Sequence, residues 1–147
     1  MDANAVMPET MVSFLQTQHV LHLATAHENR PWVATCFYAF DPKAASFIVA
    51  SDTKTRHLQE ALENAHVAGS IALQTKEVGR IEGVQFEGVL EAANSKDKRH
   101  YFKAYPFALA MLPKLWRIHI TSAKLTNNRL GFGHKEYFNR PPLPNQA

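Results

Sequence analysis

The 147-residue sequence predicts one mainly β domain, an antiparallel barrel or strongly curved sheet with helices filling its gaps. Three observations carry that expectation. Hydropathy periods run helix, three meandering strands, helix, two strands, helix, strand, with no sustained βαβ alternation, so a doubly wound parallel sheet is excluded. Hydrophobic residues make up 46% and charged residues 20%, which is a globular balance. Gly83 and Gly88 interrupt the clearest strand, as bulges or close backbone approaches at a barrel corner require.

Each element has its own signal. Glu9 to Gln18 reads as a short amphipathic helix, with Met11, Phe14 and Leu15 on one side and Pro8 suited to its first turn. His19 to Ala26 alternates as a strand, and the turn cluster His27-Glu28-Asn29-Arg30-Pro31 leads to a returning strand over Trp32–Phe40. Asp41-Pro42-Lys43 turns into Ser46–Ala50. Leu58 and Leu62, four apart, mark a helix over about Lys54 to Asn64. His66–Thr75 and Ile81–Ala92 read as strands, the second with Val84, Phe86, Leu90 and Ala92 on one face and Gln85, Glu87, Val89 and Glu91 on the other. Ser95 is placed to cap a helix that Pro106 interrupts, and a last long strand runs about Lys114 to Thr126. A single domain over 1–147 is expected, with irregular tails over 1–7 and 139–147.

Composition narrows the function classes. The formal charge of +3 is too small to imply a nucleic-acid partner, and the one cysteine, Cys36, removes the disulfide-scaffold class. The first residues lack the basic start and apolar run of a signal peptide, and no stretch approaches the roughly 20 apolar residues of a membrane span. A cytoplasmic protein without membrane or nucleic-acid partners is expected. His19 and His22 should point to opposite faces of a strand, and neither HExxH nor paired cysteines occur, so no metal site is expected. Gly131-Phe132-Gly133 lacks the rest of a dinucleotide fingerprint.

The segment Val49-Ala50-Ser51-Asp52-Thr53-Lys54-Thr55-Arg56-His57 is the most informative. Cations in the first turn of a helix oppose the partial positive charge already there. An anion reconciles them: free amides, a Thr hydroxyl, a guanidinium and Lys or His can converge on one phosphate. A solvated basic turn with Arg56 paired to Glu60 is the other reading. Gln85 offers donor and acceptor for the edge of a pyrimidine-like ring, or is an exposed strand residue. Small residues at Ala34, Thr35 and Cys36 would let a flat ring approach the backbone, or are ordinary barrel packing. The basic cluster Lys96, Lys98, Arg99, His100 and Lys103 beside Tyr101 and Phe102 is too local to read as a nucleic-acid surface.

Taken in order, Gln18-His19-Val20, Phe37-Tyr38-Ala39-Phe40-Asp41, Lys54-Thr55-Arg56-His57, Gly83-Val84-Gln85-Phe86 and Leu130-Gly131-Phe132-Gly133 resemble the FMN-binding split barrel of the pyridoxamine 5′-phosphate oxidase-like superfamily. More narrowly, the chain resembles its YhbP-type bacterial subfamily, from about Phe14 to Lys135. The resemblance implies a homodimer with two FMN sites at the interface. It implies that Lys54, Thr55, Arg56 and His57 hold the phosphate with Ser51 nearby, that Ala34, Thr35 and Cys36 face the isoalloxazine, and that Gln85 reaches the ribityl chain or pyrimidine edge. Trp116 and Gly131–Gly133 are implied to come from the other subunit. Pyridoxamine phosphate oxidases proper end in an Arg-rich segment, whereas this chain reads Phe138-Asn139-Arg140-Pro141-Pro142, so vitamin B6 oxidation is not carried over.

The function this implies is flavin-dependent oxidoreduction of a small-molecule substrate, with electrons from NAD(P)H and the chemistry carried by FMN. His119 or Arg117 would stabilise a reduced ring, and no residue stands out as a catalytic acid or base. The alternative is a non-catalytic flavin- or haem-binding carrier or sensor, with His57, His100 or His134 as an iron ligand.

Overall fold

The computed structural model describes residues 5–141. Seven strands form one antiparallel sheet in the order β3-β2-β1-β4-β5-β6-β7, and β3 pairs in addition with β6, so six strands close into a barrel. The strands are β1 Val20–His27, β2 Arg30–Asp41, β3 Ser46–Ala50, β4 His66–Ala72, β5 Glu82–Ala92, β6 Leu115–Asn127 and β7 Lys135–Asn139. Three helices, α1 Glu9–Thr17, α2 Arg56–Glu63 and α3 Ser95–Ala104, cover its gaps. The mainly β antiparallel split barrel expected from the sequence is the fold observed.

Local chemistry explains the joints. Glu28 and Asn29 both take positive φ, the backbone that a two-residue hairpin needs, so β2 starts at Arg30 and pairs directly with His27. Pro31 is tolerated because β2 outruns β3, which pairs only with Tyr38–Asp41. Asp41 turns the chain by accepting the amides of Lys43 and Ala44 at 3.0 and 3.2 Å. The cap of α3 is Asn94 rather than Ser95: its side chain accepts from Asp97 N while Asp97 accepts from Asn94 N, a complete capping box. Helix α2 begins at Arg56, two residues later than the periodicity suggests, because Asp52 draws Lys54 N into a turn at 2.8 Å. Strand β4 ends at Ala72, short of the expected Thr75.

Alternation predicts the buried face of β5 at Val84, Phe86 and Leu90; Ala92 is exposed, where the strand runs out toward α3. An irregularity opposite Glu87 and Gly88 skips Thr121, so β6 buries Ile118 and Ile120 before it and Ala123 and Leu125 after it. This phase change lets one strand serve two partners on the same edge. The first half of β6 pairs with β3 (Ser46↔His119 to Ala50↔Leu115), and its second half pairs with β7, a strand with no counterpart in the sequence expectations. Arg140 rivets that junction, its guanidinium donating to the carbonyls of Ile120, Ala44 and Ala45 at 2.7–2.8 Å. Of the expected tails, Met7 is buried and Asn139 ends β7, while residues 1–4 and 142–147 lie outside the described residues.

The main core lies inside the barrel, with Leu21, Leu23, Phe47, Ile71, Ile118, Ile120 and Leu125 fully buried, plugged at one end by Met11, Phe14 and Leu15 of α1. Tyr38 crosses it to donate to the Leu15 carbonyl at 2.7 Å, and burial pushes its phenol well above the ordinary range. A smaller cluster outside the wall packs Tyr101 of α3 on Ala39, Ile48 and Leu115.

Gly69 marks the tightest approach in the wall: a Cβ there would stand 2.4 Å from both the His22 carbonyl oxygen and the Phe86 ring. Gly69→Ala is therefore expected to cost about 1–3 kcal/mol by overpacking, read as a lower melting temperature. Gly79→Ala, with open space around it, should leave the melting temperature unchanged; equal melting of both variants would contradict the packing described.

Candidate functional site

The strand-to-helix turn after β3 is the most organised polar region of the chain. Closure of β3 on β6 continues past Ala50 through Ser51 N, which donates to the Lys114 carbonyl at 3.1 Å. Trp116, at the start of β6, donates its indole N–H back to the Ser51 carbonyl at 3.0 Å. Ser51 Oγ lies 2.9 Å from His57 Nε2, and Thr55 Oγ1 lies 3.5 Å from the same nitrogen. Cys36 approaches the Ser51 side chain from the inward face of β2; burial pushes its thiol up, which disfavours a thiolate nucleophile. Burial also holds His57 below its ordinary value, so the ring is neutral in the folded chain at pH 7. Ser51, Thr55, His57 and Trp116 are therefore one hydrogen-bonded unit, with Cys36 beside it. Trp116 meets the Ser51 of its own chain here.

Helix α2 starts without the usual protection. Thr55 is its N-cap residue, yet its hydroxyl donates to the Asp52 carbonyl at 2.7 Å instead of accepting a first-turn amide. No acidic side chain occupies the first turn, while Lys54 and Arg56 bracket it. Arg56 donates through Nε to Glu60 Oε2 at 2.9 Å, and its guanidinium carbon sits 4.1 Å above the Trp32 ring. Glu60 accepts a second bond from Thr25 Oγ1 at 2.8 Å, and the Arg56 and Thr25 bonds together hold its carboxyl below the usual range. The ion pair considered for a plain solvated turn is thus present, within a larger assembly. Two open clefts flank the turn. One, of about 530 Å³, lies between Ala50–Lys54 and Met111–Lys114; the other, of about 520 Å³, is lined by His27, Arg56, Gln59, Glu60, Leu62 and Glu63.

The remaining predicted residues fall on two faces. Ala34 and Cys36 share the inward face of β2 with Trp32, whereas Thr35 points outward, its hydroxyl 3.3 Å from His22 Nδ1. The pairing register then carries one outward row across the wall: Thr35↔His22↔Ser70↔Gln85↔Lys124↔Tyr137. Gln85 thus lies three strands from Thr35, about 14 Å at normal strand spacing. It opens on a shallow cleft of about 250 Å³ with Lys124 and Tyr137. Arg117 is engaged with Glu91 at 2.5 Å and faces Asp97 at 3.6 Å, and His119 stands near Arg140 and Arg117; neither adjoins the Ser51–His57 turn. Each suggested iron ligand has its Nε2 occupied: His57 by Ser51, His100 by the Phe40 carbonyl at 2.6 Å, and His134 by Glu136 at 3.1 Å.

Residue patterns alone did not point to Trp32, Thr25, His22, Lys124 or Tyr137. Their proximity is a product of register, and only the hairpin turn at Glu28-Asn29 carried a sequence signal that could have set it.

Comparison with known proteins identifies the family and the fold. The family model described as pyridoxamine 5′-phosphate oxidase matches residues 7–126. A UPF0306 protein, Ent638_3591 of Enterobacter sp. (strain 638), is 39% identical over 131 residues, covering 86% of this chain and 92% of its own. The UPF0306 protein YhbP of Salmonella arizonae is 36% identical over 138 residues, covering 91% and 94%. Among solved structures, a haem binding protein from Mycobacterium smegmatis superposes with a TM-score of 0.74 at 15% identity, over 91% of this chain and 59% of that one. A FAD-binding protein from Mesorhizobium loti does so with 0.67 at 16% identity, over 81% and 94%. These two share the fold. Sequence and architecture together place the chain in the pyridoxamine 5′-phosphate oxidase-like split-barrel family, in its UPF0306, YhbP-type branch.

Proposed function

We propose that this chain binds FMN at the barrel rim and uses it for oxidoreduction of a small molecule, with NAD(P)H as electron donor. The observation that carries the reading is the N-terminus of α2: its cap hydroxyl is turned away, no acid fills the first turn, and Lys54 and Arg56 stand on either side. A phosphate satisfies all three at once, through first-turn amides, the helix dipole and charge-assisted bonds. On this reading Lys54, Thr55, Arg56 and His57 hold the phosphate. Ser51 and Trp116 fix the shape of the turn, and Ala34 and Cys36 back the wall beneath it. Thr35 begins an outward row that reaches Gln85, whose amide can both donate to and accept from a ring edge. The fold relationship to a FAD-binding protein supports a flavin over other phosphorylated ligands.

The bound flavin supplies the hydride or electron transfer; the chain binds it, orients it and limits water at its faces. The Pro106–Met111 turn beside the Lys54 cleft carries Phe107, Met111 and, just after it, Leu112, which are 94%, 81% and 82% exposed. Such a run is suited to burial against a second copy, and a homodimer with the cofactor at its interface is part of the proposal.

An FMN titration of the purified chain, followed by flavin fluorescence and thermal melting, tests the reading. Saturable binding with a matching rise in melting temperature is expected, followed by bleaching of the bound flavin by NAD(P)H. Arg56→Ala should lose about 1.5–3 kcal/mol of FMN affinity. Absence of flavin binding, with haem bound instead, would move the protein to the carrier class, and retained flavin that NAD(P)H never reduces would leave a non-catalytic flavin carrier.

The pH dependence has a definite sign. His57 sits below its ordinary value of 6.5 in the chain alone, and a neighbouring phosphate raises it again, so FMN binding takes up a proton. FMN affinity should therefore rise as pH falls from about 8 toward the phosphate's own second pKa of about 6. Riboflavin should show no such slope, and His57→Asn should remove it. A flat FMN profile in the wild type would place the phosphate away from His57.

A further inference from the structure

Arg56 is held by groups to which the flavin reading gives no role. Thr25, on the inward face of β1 and only 2% exposed, spends its hydroxyl on Glu60 Oε1, and Glu60 Oε2 accepts Arg56 Nε. Trp32, from the facing strand, has its ring beneath the guanidinium carbon, 4.1 Å away. Exposure grades along this chain of contacts: the Glu60 side chain is 12% exposed and that of Arg56 44%. The buried end is thus fixed to the barrel wall and the open end faces a cleft. A guanidinium has five N–H donors in a fixed fork, so a carboxylate on Nε leaves the two Nη groups for a second anion. Among the described residues neither Nη has a hydrogen-bonded protein acceptor.

We propose that Glu60 is a positioning residue for Arg56: anchored by Thr25, and with Trp32 as a stacking floor, it presents the Nη edge of Arg56 to the ligand phosphate. The inference rests on the flavin reading of the Ser51–His57 turn. An ordinary surface i,i+4 pair would leave both side chains mobile and contribute little. Here the carboxylate has both oxygens engaged, and the guanidinium rests over the Trp32 ring, so the ligand meets an arginine already in place. Ordering a side chain with as many rotamers as arginine is a recurrent loss on binding, and fixing it beforehand removes that loss.

The competing possibility is that Glu60 neutralises Arg56 and must be displaced by the phosphate. The two have opposite signs. Removing the Glu60 charge makes the site more positive, which tightens FMN if neutralisation dominates and weakens it if positioning does. FMN and riboflavin dissociation constants are to be measured by flavin fluorescence for the wild type, Glu60→Ala, Glu60→Gln and Thr25→Val, with melting temperatures alongside. Riboflavin serves as the internal control because it lacks the phosphate.

Glu60→Ala is expected to weaken FMN by about two- to tenfold while leaving riboflavin affinity unchanged. Glu60→Gln, which keeps an acceptor for Nε, should recover part of that loss. Thr25→Val should weaken FMN in the same direction without altering any charge, which keeps the question answerable if Glu60→Ala folds poorly. Unchanged or tighter FMN binding in both Glu60→Ala and Thr25→Val would overturn the positioning role and leave the flavin site standing. A wild type that binds FMN no better than riboflavin would overturn the phosphate site and this role with it.

Discussion

The pairing of β3 with the first half of β6 is the constraint on which the site depends. It closes the barrel, and the same register that sets Ala50 against Leu115 carries Ser51 to the Lys114 carbonyl and under the Trp116 indole. A slip of one residue would turn every inward side chain outward and dismantle the Ser51–His57 unit. The irregularity at Thr121 is what makes this closure compatible with β7. Without the skipped residue, β6 could not bury Ile118 and Ile120 against the first partner and Ala123 and Leu125 beside the second. Arg140 then ties the place where the two partners meet, with one cation donating to three backbone carbonyls.

A second constraint is electrostatic. Basic residues at the head of α2 oppose the helix dipole, and the fold does not relieve the conflict by supplying an acid in the first turn. Among the described residues, the carboxylate that Arg56 bonds comes one helical turn later, at Glu60, and it takes Nε while both Nη groups stay without a protein acceptor. Lys54 lines the cleft between its own turn and Met111–Lys114. On the flavin reading, the ligand's phosphate relieves that opposition by completing the helix terminus.

Much of this was legible in the sequence because it is written in period and composition. The Met11-Phe14-Leu15 stripe, the alternation of Val84, Phe86 and Leu90 and the breaker at Pro106 each report a local preference that tertiary structure left intact. The same holds for Lys54-Thr55-Arg56-His57, whose charges are anomalous wherever the turn is placed. What stayed hidden depends on register. Strand β7 is short, and its identity as a strand comes from the free edge of β6 more than from its own residues. The trio Ala34, Thr35 and Cys36 looked like one flat surface, yet a pleated strand sends the middle residue to the opposite face. Trp32 and Thr25 meet Arg56 and Glu60 only because a tight Glu28-Asn29 hairpin pairs Thr25 with Trp32.

The division of faces bears on where a ring would lie. Trp116 donates its indole N–H to the Ser51 carbonyl and packs toward the core, so on the flavin reading it shapes the rim of its own chain's site. Cys36 and Ala34 are likewise behind the wall. On the flavin reading, a ring lying along the Thr35–Gln85 row therefore has one face on this chain and needs its other face covered from elsewhere. The exposed aromatics nearest in character to that need are Phe107, in the turn beside the Lys54 cleft, and Phe132, 88% exposed between Gly131 and Gly133, both of positive φ. Glycines on either side let that turn project a side chain no strand could hold out so far. A second copy offering either segment would bury apolar surface that the single chain leaves in water, so cofactor enclosure and dimer formation would draw on the same free energy and strengthen each other.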